Sequence, residues 1–271
     1  MKYKLLALDL DGTLTDSNKQ VSPRTLSVLL EAQRRRLKIV LSSGRPTYGV
    51  APIADLLHLN EFGGYVLSFN GGEITNWQTG EIIWQKEMDK TYMPYLYKSA
   101  KKHHLAIETF NGQYVITETP DDKYVQRQAA INKLTVTRVP DFLKAINFPV
   151  IKSLIVGEPD KLKVVEKELQ EKLQGELGIF RSEPYFLEIV AKNIDKARSL
   201  NALLQHLGLQ REELIAIGDG YNDVSMIRYA GMGIVMENAP EIIKREADMI
   251  APSNDDEGVA KIIEQLFNLK F

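Results

Sequence analysis

Cysteine is absent from the 271 residues. Its absence excludes disulfides, thiolate metal sites and a thiol nucleophile, and suits a reducing compartment. Neither sign of charge is in excess: 34 Lys and Arg face 36 Asp and Glu, a net charge of −2. A chain so balanced offers no bulk attraction to nucleic acid or to an anionic membrane. No apolar stretch approaches the ~20 residues that span a bilayer. The run from Leu5 to Leu8, preceded by Lys2 and Lys4, begins like a secretory signal, but Asp9 and Asp11 stop it. Histidine is scarce. His58, His103, His104 and His206 all fall on predicted helices without zinc spacing, where a solvated or partly packed role is expected. There is no internal repeat and no low-complexity segment. What remains, 44% hydrophobic and 26% charged, is the composition of an ordinary soluble globular protein, and a cytoplasmic enzyme is the expectation. It has room for one large domain or two modest ones.

The most informative stretch is Leu5-Leu6-Ala7-Leu8-Asp9-Leu10-Asp11-Gly12-Thr13-Leu14. A buried-looking apolar run ends in two aspartates at i and i+2, then a glycine turn. Residues so spaced on an extended chain point the same way. Two carboxylates on one side of a strand end repel each other, and call for a cation or a shared proton. A carboxylate nucleophile with an acid/base neighbour and a metal is one chemistry that uses this arrangement.

Residues 4–8 read as a short buried strand. Ser22-Pro23 starts a helix to about Arg36, with Leu26, Leu29, Leu30 and Gln33 on one face. Strands follow at 38–41 and 65–68, with a helix between them that opens at Pro46 and is interrupted at Pro52. This alternation with short connections predicts a Rossmann-like, doubly wound parallel sheet. After Asn70-Gly71-Gly72 the pattern becomes α+β, with a hairpin at Asn111-Gly112. Trp77 and Trp84 flank a turn where packing is the default role. From Asp195 the strand–helix alternation returns. The expected organisation is a discontinuous core, 1–84 and 185–271, around an inserted domain, 85–184.

Four polar sites each lie just after a predicted core strand or at the start of the next helix. They are Asp9/Asp11, Ser42-Ser43-Gly44-Arg45, Lys196, and Gly218-Asp219-Gly220-Tyr221-Asn222-Asp223. Ligands of open α/β sheets bind outside the carboxyl ends of the strands, so four distant sites converge on one crevice. Each alone has a plain explanation: a solvated turn for the aspartates, a surface helix for the lysine. Order and spacing together carry the reading. Asp9, Asp219 and Asp223 gather hard oxygen ligands suited to Mg²⁺. Ser43-Gly44 can offer a hydroxyl and backbone N–H groups to an anion, and Lys196 adds a fixed positive charge. Together these describe a phosphoryl-transfer site.

These segments resemble the four motifs of the haloacid dehalogenase superfamily, and the insertion between the second and third resembles the cap of its Cof-type sugar-phosphate phosphatases. Asn70-Gly71-Gly72 fits that subfamily too. The resemblance implies that Asp9 attacks phosphorus to form an aspartyl-phosphate. Asp11 would protonate the leaving alcohol and then activate water. Mg²⁺ would be held by the Asp9 side chain, the Asp11 carbonyl and Asp219, with Asp223 acting directly or through its neighbours. Ser43, Gly44, Lys196 and Asn222 would hold the phosphoryl group, and the inserted cap would close over the site and select the substrate. Arg45 is a candidate contact to substrate or cap, with a solvated helix start as the equal alternative. Asp11 favours a phosphatase or phosphomutase over a dehalogenase, because a halide leaving group needs no acid. Ala197 departs from the subfamily, which has glycine after this lysine.

The expected function is Mg²⁺-dependent hydrolysis of small phosphorylated metabolites, sugar phosphates foremost. A phosphohexose mutase is the alternative, and a non-catalytic phosphometabolite sensor ranks behind it. The expected partner is the metabolite alone, without nucleic acid or membrane, and the chain is expected to be a monomer or weak homo-oligomer. Within the insert, the stripe Tyr92, Leu96, Tyr97 and Ala100 is expected to be core, and no single one of Glu108, Asn111 and Tyr114 is expected to bind substrate.

Overall fold

In the computed structural model, which describes residues 2–173 and 175–269, the apolar run after Lys4 forms strand β1, Leu5–Asp9, buried throughout. A helix at Pro23–Arg34 follows. Its N-cap Ser22 accepts the Thr25 N–H, and Pro23 occupies the first turn, where its missing donor costs nothing. Its buried face is Thr25, Val28, Leu29, Ala32 and Gln33, one residue round from the stripe expected. Next come β2 at Lys38–Ser42, a helix at Thr47–Leu56 that continues through Pro52, β3 at Tyr65–Ser68, β4 at Glu73–Asn76 and β5 at Ile82–Gln85.

The middle of the chain supplies β6 at Ala106–Asn111, β7 at Tyr114–Thr117, β8 at Thr135–Arg138, β9 at Lys152–Val156, β10 at Leu177–Glu183 and β11 at Phe186–Ala191. A helix at Lys196–Leu207 follows, capped by Asp195 and ended by Gly208 in the left-handed region. The chain closes with β12 at Leu214–Gly218, β13 at Met232–Met236, β14 at Met249–Ala251 and a helix at Gly258–Phe267. Among the described residues no helix is long and apolar enough to cross a membrane.

Two compact units result: Met1–Trp84 with Asp195–Phe271, and Gln85–Ile194. The first unit holds one sheet in the order β14-β13-β12-β1-β2-β3-β4-β5. Its strands from β14 to β3 run parallel, and β4 turns back against β3. Alternation along β1 sends Leu6 and Leu8 to one apolar layer and Leu5 and Ala7 to the other. The helices Pro23–Arg34 and Gly258–Phe267 cover the first layer, through residues such as Val28, Leu29, Ile262 and Ile263. Leu200, Leu203 and Leu204 of the helix Lys196–Leu207 cover the second. The sheet grows from β1 toward β2 on one side and toward β12 on the other. The winding therefore reverses at β1, whose carboxyl end is a ligand-binding position of this architecture.

The second unit has a six-stranded sheet in the order β10-β11-β9-β6-β7-β8, antiparallel except for the β7–β8 pair. Leu96, Ala100, Leu162, Val165 and Leu169 pack against Ile107, Ile155, Leu187 and Ile189. Tyr97 stacks on Phe142 at 6.0 Å between ring centres. One expectation is corrected here. The core was expected to resume at residue 185, yet β11 pairs with β9 and β10 of the second unit, so the boundary lies after Ile194 and not at Pro184. A strand buried on both faces looks alike in either sheet; its partners decide, and those are non-local. The helix Lys123–Asn132 and β8 were not foreseen.

Glu108 stands out in this second sheet. It is fully buried, and neither carboxyl oxygen has a hydrogen-bond partner. Burial raises its pKa well above 4.5, Lys152 opposes that rise, and Asp122 adds to it. The folded protein therefore keeps the proton after the unfolded chain has lost it. Stability from this group is greatest below the ordinary glutamate pKa and falls as pH rises toward the folded value. Glu108→Gln should therefore gain stability over the parent as pH increases from 5 to 7, by up to about 1.4 kcal/mol per pH unit. Urea unfolding at both pH values measures this, and a pH-independent difference would contradict a buried neutral acid.

Candidate active site

Lys196 is the first residue of its helix and is 1% exposed. Its ammonium donates to Asp9 Oδ1 at 2.8 Å, to the Ser42 carbonyl at 2.8 Å and to Asp223 Oδ1 at 2.6 Å. Three donors meet three acceptors, so this buried charge is both paired and fully hydrogen-bonded. The helix start is fixed from the other side by Gly71. The Ser199 hydroxyl donates to the Gly71 carbonyl at 2.6 Å. A Cβ at position 71 would lie 2.5 Å from the Asp195 carbonyl oxygen, and φ there is +103°. Glycine at 71 thus lets the chain after β3 approach the helix that carries Lys196.

The two aspartates of the first strand part company. Asp9 ends β1 and turns to Lys196. Asp11, beyond the strand, turns to Arg45, whose Nε and Nη2 donate to its two oxygens at 2.9 and 2.6 Å. Lys19 adds a contact at 2.9 Å. The Arg45 guanidinium thus holds Asp11 in a two-point clamp, a partner that its local sequence did not name. Lys19 was missed entirely, because nothing in its local sequence places that loop against Asp11.

Asp219 and Asp223 belong to the loop after β12. Asp223 Oδ2 accepts the N–H groups of Asp219 and Gly220 at 3.1 and 2.9 Å. Since Oδ1 takes Lys196, both Asp223 oxygens are spent on holding the loop and the lysine. Asp219 accepts the Thr13 hydroxyl at 2.8 Å. A Cβ on Gly12, at φ +88°, would sit 2.4 Å from Asp219 Oδ2, which explains glycine directly after Asp11. Thr13 went unremarked in the sequence although it lies inside the first motif.

Ser43, Gly44 and Asn222 form a third group. The loop after β2 is pinned to the loop after β3 by Asn70 N–H to the Ser43 carbonyl at 2.9 Å and Phe69 N–H to the Arg45 carbonyl at 3.0 Å. Asn222 donates to Asn70 Oδ1 at 3.0 Å. A Cβ on Gly44 would lie 3.0 Å from Asn70 Nδ2, so the Asn70 amide that accepts from Asn222 also packs closely on Gly44. In the sequence Asn70 stands out only as part of Asn70-Gly71-Gly72.

The electrostatics separate the carboxylates. Burial, and then the Asp223 charge, push Asp9 up to about 8 against the pull of Lys196. Burial also raises Asp219, with Asp223 adding and the Thr13 hydrogen bond opposing. Burial would raise Asp11 as well, but the hydrogen bonds and charges of Arg45 and Lys19 outweigh it and hold Asp11 below the usual range. For Lys196, burial favours the neutral form, but Asp223 and Asp9 more than compensate and raise its pKa. Oxygens of Asp9, Asp219 and Asp223 all lie within 4.8 Å of one another. Three carboxylates beside one ammonium leave surplus negative charge on hard oxygen donors. That donor set fits a small divalent cation such as Mg²⁺.

A buried lysine–carboxylate centre at the switch point of a doubly wound sheet defines an α/β enzyme. The family described as haloacid dehalogenase-like hydrolase matches residues 6–263. A crystal structure of a haloacid dehalogenase-like hydrolase from Bacteroides thetaiotaomicron is 52% identical, covers 98% of this chain and 100% of its own, and superposes with a TM-score of 0.95. A protein of Streptococcus pyogenes serotype M6, provisionally named a phosphatase, is 31% identical over 98% of each chain. The 5-amino-6-(5-phospho-D-ribitylamino)uracil phosphatase of Bacillus subtilis is 28% identical, covering 96% of this chain and 94% of its own. The chain belongs to the haloacid dehalogenase-like hydrolases. Within that family it is a phosphoric monoester hydrolase.

Lys196→Met should leave the buried Asp9 and Asp223 carboxylates without their cation. We expect a loss of about 3–5 kcal/mol, the usual cost of breaking a buried pair from one side. Asp223→Asn in the same background should recover part of it by removing one orphaned charge. Chemical denaturation of the three variants measures this coupling, and strict additivity would contradict it.

Proposed function

We propose that this phosphatase hydrolyses small phosphorylated metabolites, sugar phosphates foremost, through an aspartyl-phosphate on Asp9 and with Mg²⁺ as cofactor. The observation that carries the proposal is the division of labour between the two aspartates. Lys196 occupies Asp9 Oδ1, while Oδ2 has no hydrogen-bond partner among the described residues and is the oxygen available for attack. Asp11 is held separately and is more accessible, as an acid/base must be.

In this reading Asp9 Oδ2 attacks phosphorus and the bond from phosphorus to the ester oxygen breaks. Asp11 gives its proton to the departing alkoxide. Water then attacks the aspartyl-phosphate, Asp11 takes the proton, and inorganic phosphate leaves with Asp9 restored. Arg45 and Lys19 favour ionised Asp11, the form needed for the second half. For the first half the Arg45 clamp has to loosen as substrate binds, so Arg45 tunes Asp11. Ser43, Gly44, Lys196 and Asn222 hold the phosphoryl oxygens. Asp9, the Asp11 carbonyl and Asp219 would hold Mg²⁺, with Asp223 positioning Asp219 and Lys196. The cation supplies charge neutralisation for the phosphoryl group when bound. The inserted unit takes the role of a substrate-selecting cap. The Bacillus relative named for a phosphorylated ribityl compound supports a small, hydroxyl-rich phosphate ester as the substrate class.

Phosphate release across sugar phosphates and nucleotides, with Mg²⁺ or with EDTA, tests the reading. Asp9→Asn should fall below a few per cent of parental turnover while remaining folded; substantial Mg²⁺-dependent activity would remove Asp9 as nucleophile. Asp11→Asn should slow turnover by about 10²–10⁴. Incubation with a hexose bisphosphate should give inorganic phosphate; an isomerised monophosphate would show a mutase.

A further inference from the structure

Away from the site around Asp9, the first unit has a cavity of about 330 Å³, lined by Tyr3, Lys4, Arg35, Arg36, Lys38, Leu207 and Leu209. Lys4 directly precedes β1 and Lys38 begins β2. The cavity therefore opens at the amino edge of the parallel strands, whereas Asp9 ends β1 at the carboxyl edge. The length of a five-residue strand, roughly 16 Å, separates the two. Nothing in the chemistry of Asp9 uses this cavity.

Its lining has two characters. Tyr3, Leu207 and Leu209 give an apolar wall. The rest of the lining is four cations from three segments: Lys4 just before β1, Arg35 and Arg36 at the end of the helix Pro23–Arg34, and Lys38 at the start of β2. Two of these charges are matched, Lys4 by Glu213 at 2.6 Å and Arg35 by Glu31 at 3.0 Å. The other two are not. Lys38 donates to the Gly63 carbonyl at 3.2 Å and faces the Tyr65 ring, both uncharged. Arg36 makes no ion pair among the described residues. Lys2, on the Tyr3 hydroxyl at 3.1 Å, adds positive charge nearby. Helix ends commonly carry a cation to balance their carbonyls, but Lys38 is on a strand. Surplus cations beside an apolar wall of ligand-sized volume have the chemistry of a site for an amphipathic anion.

We propose that this cavity binds a small organic anion, with an apolar body against Tyr3, Leu207 and Leu209 and its phosphate, sulfonate or carboxylate on Arg36 and Lys38. Arg36 gives a clean test. It follows the helix cap with φ +71°, where its N–H reaches the Gln33 carbonyl at 2.8 Å and Leu37 N–H reaches Ala32 at 3.1 Å. Glycine is the usual residue at that position of a helix end. Arg36→Gly should therefore keep or raise the melting temperature while weakening the anion.

The probe is naphthalene-1-sulfonate, which no phosphatase hydrolyses, titrated into the full chain by calorimetry with and without Mg²⁺ and orthovanadate. We expect one saturable site, unaffected by vanadate, with inorganic sulfate and 1-naphthol each at least about tenfold weaker. Arg36→Gly and Lys38→Met should each weaken the probe about tenfold and leave phosphate release unchanged. Absence of saturation by about 5 mM, displacement by vanadate, or parental affinity in Arg36→Gly would each overturn the proposal. Binding is read without turnover, so its failure is distinct from failure of the phosphatase reading.

Discussion

The buried ammonium of Lys196 is the constraint on which the first unit's site depends. A cation taken out of water survives only if its hydrogens find acceptors and its charge finds counter-charge. Lys196 finds Asp9 from β1, Asp223 from the loop after β12, and the Ser42 carbonyl at the end of β2. These three strands are neighbours in the sheet, with β1 between β12 and β2. Satisfying one side chain therefore ties together the carboxyl ends of all three. The packing of Ser199 and Asp195 on Gly71 then ties in the loop after β3.

The same interaction sets the electrostatics. Lys196 neutralises part of the charge of Asp9 and Asp223 but cannot cancel three carboxylates. What remains is a centre of hard carboxylate oxygens with surplus negative charge, in which burial and the Asp223 charge push Asp9 up to about 8. Asp11 escapes this centre because the strand ends at Asp9 and the chain then turns. Its partners are Arg45 and Lys19, so two carboxylates only two positions apart in sequence have opposite pKa directions. Separate environments for a chemically identical pair are what a nucleophile and an acid/base require.

Much of this was legible in the sequence for physical reasons. Strands buried on both faces are continuous apolar runs, so β1, β2, β3 and β12 announced themselves, and the polar residues that stop them fall at the sheet's carboxyl edge. Short strand–helix alternation then left few topologies. Illegible were contacts closed by loops. The Arg45 clamp, the Lys19 contact and the Thr13 hydrogen bond all depend on how a turn is aimed, which local propensity does not encode. The strand β11 failed for a related reason. Its pattern says buried on both faces, and only its partners β9 and β10 say in which sheet. The helix Lys123–Asn132 was missed because its buried face is largely Gln128, Ala129 and Asn132, a weak apolar signal.

By itself the sequence determined the α/β class, the core strands and the residue types at their carboxyl ends, because hydrophobic period and stop signals are local. It also contained the glycines at 12 and 71, without revealing what approaches them. Tertiary structure alone decided that Asp9 belongs to Lys196 and Asp11 to Arg45, and that Asp223 spends both oxygens on positioning its neighbours. It also decided that the unit boundary falls at Ile194. Each of these is a choice among partners distant in the chain. Such choices are made by the burial of charge and the pairing of strands, which exist only once the chain has folded.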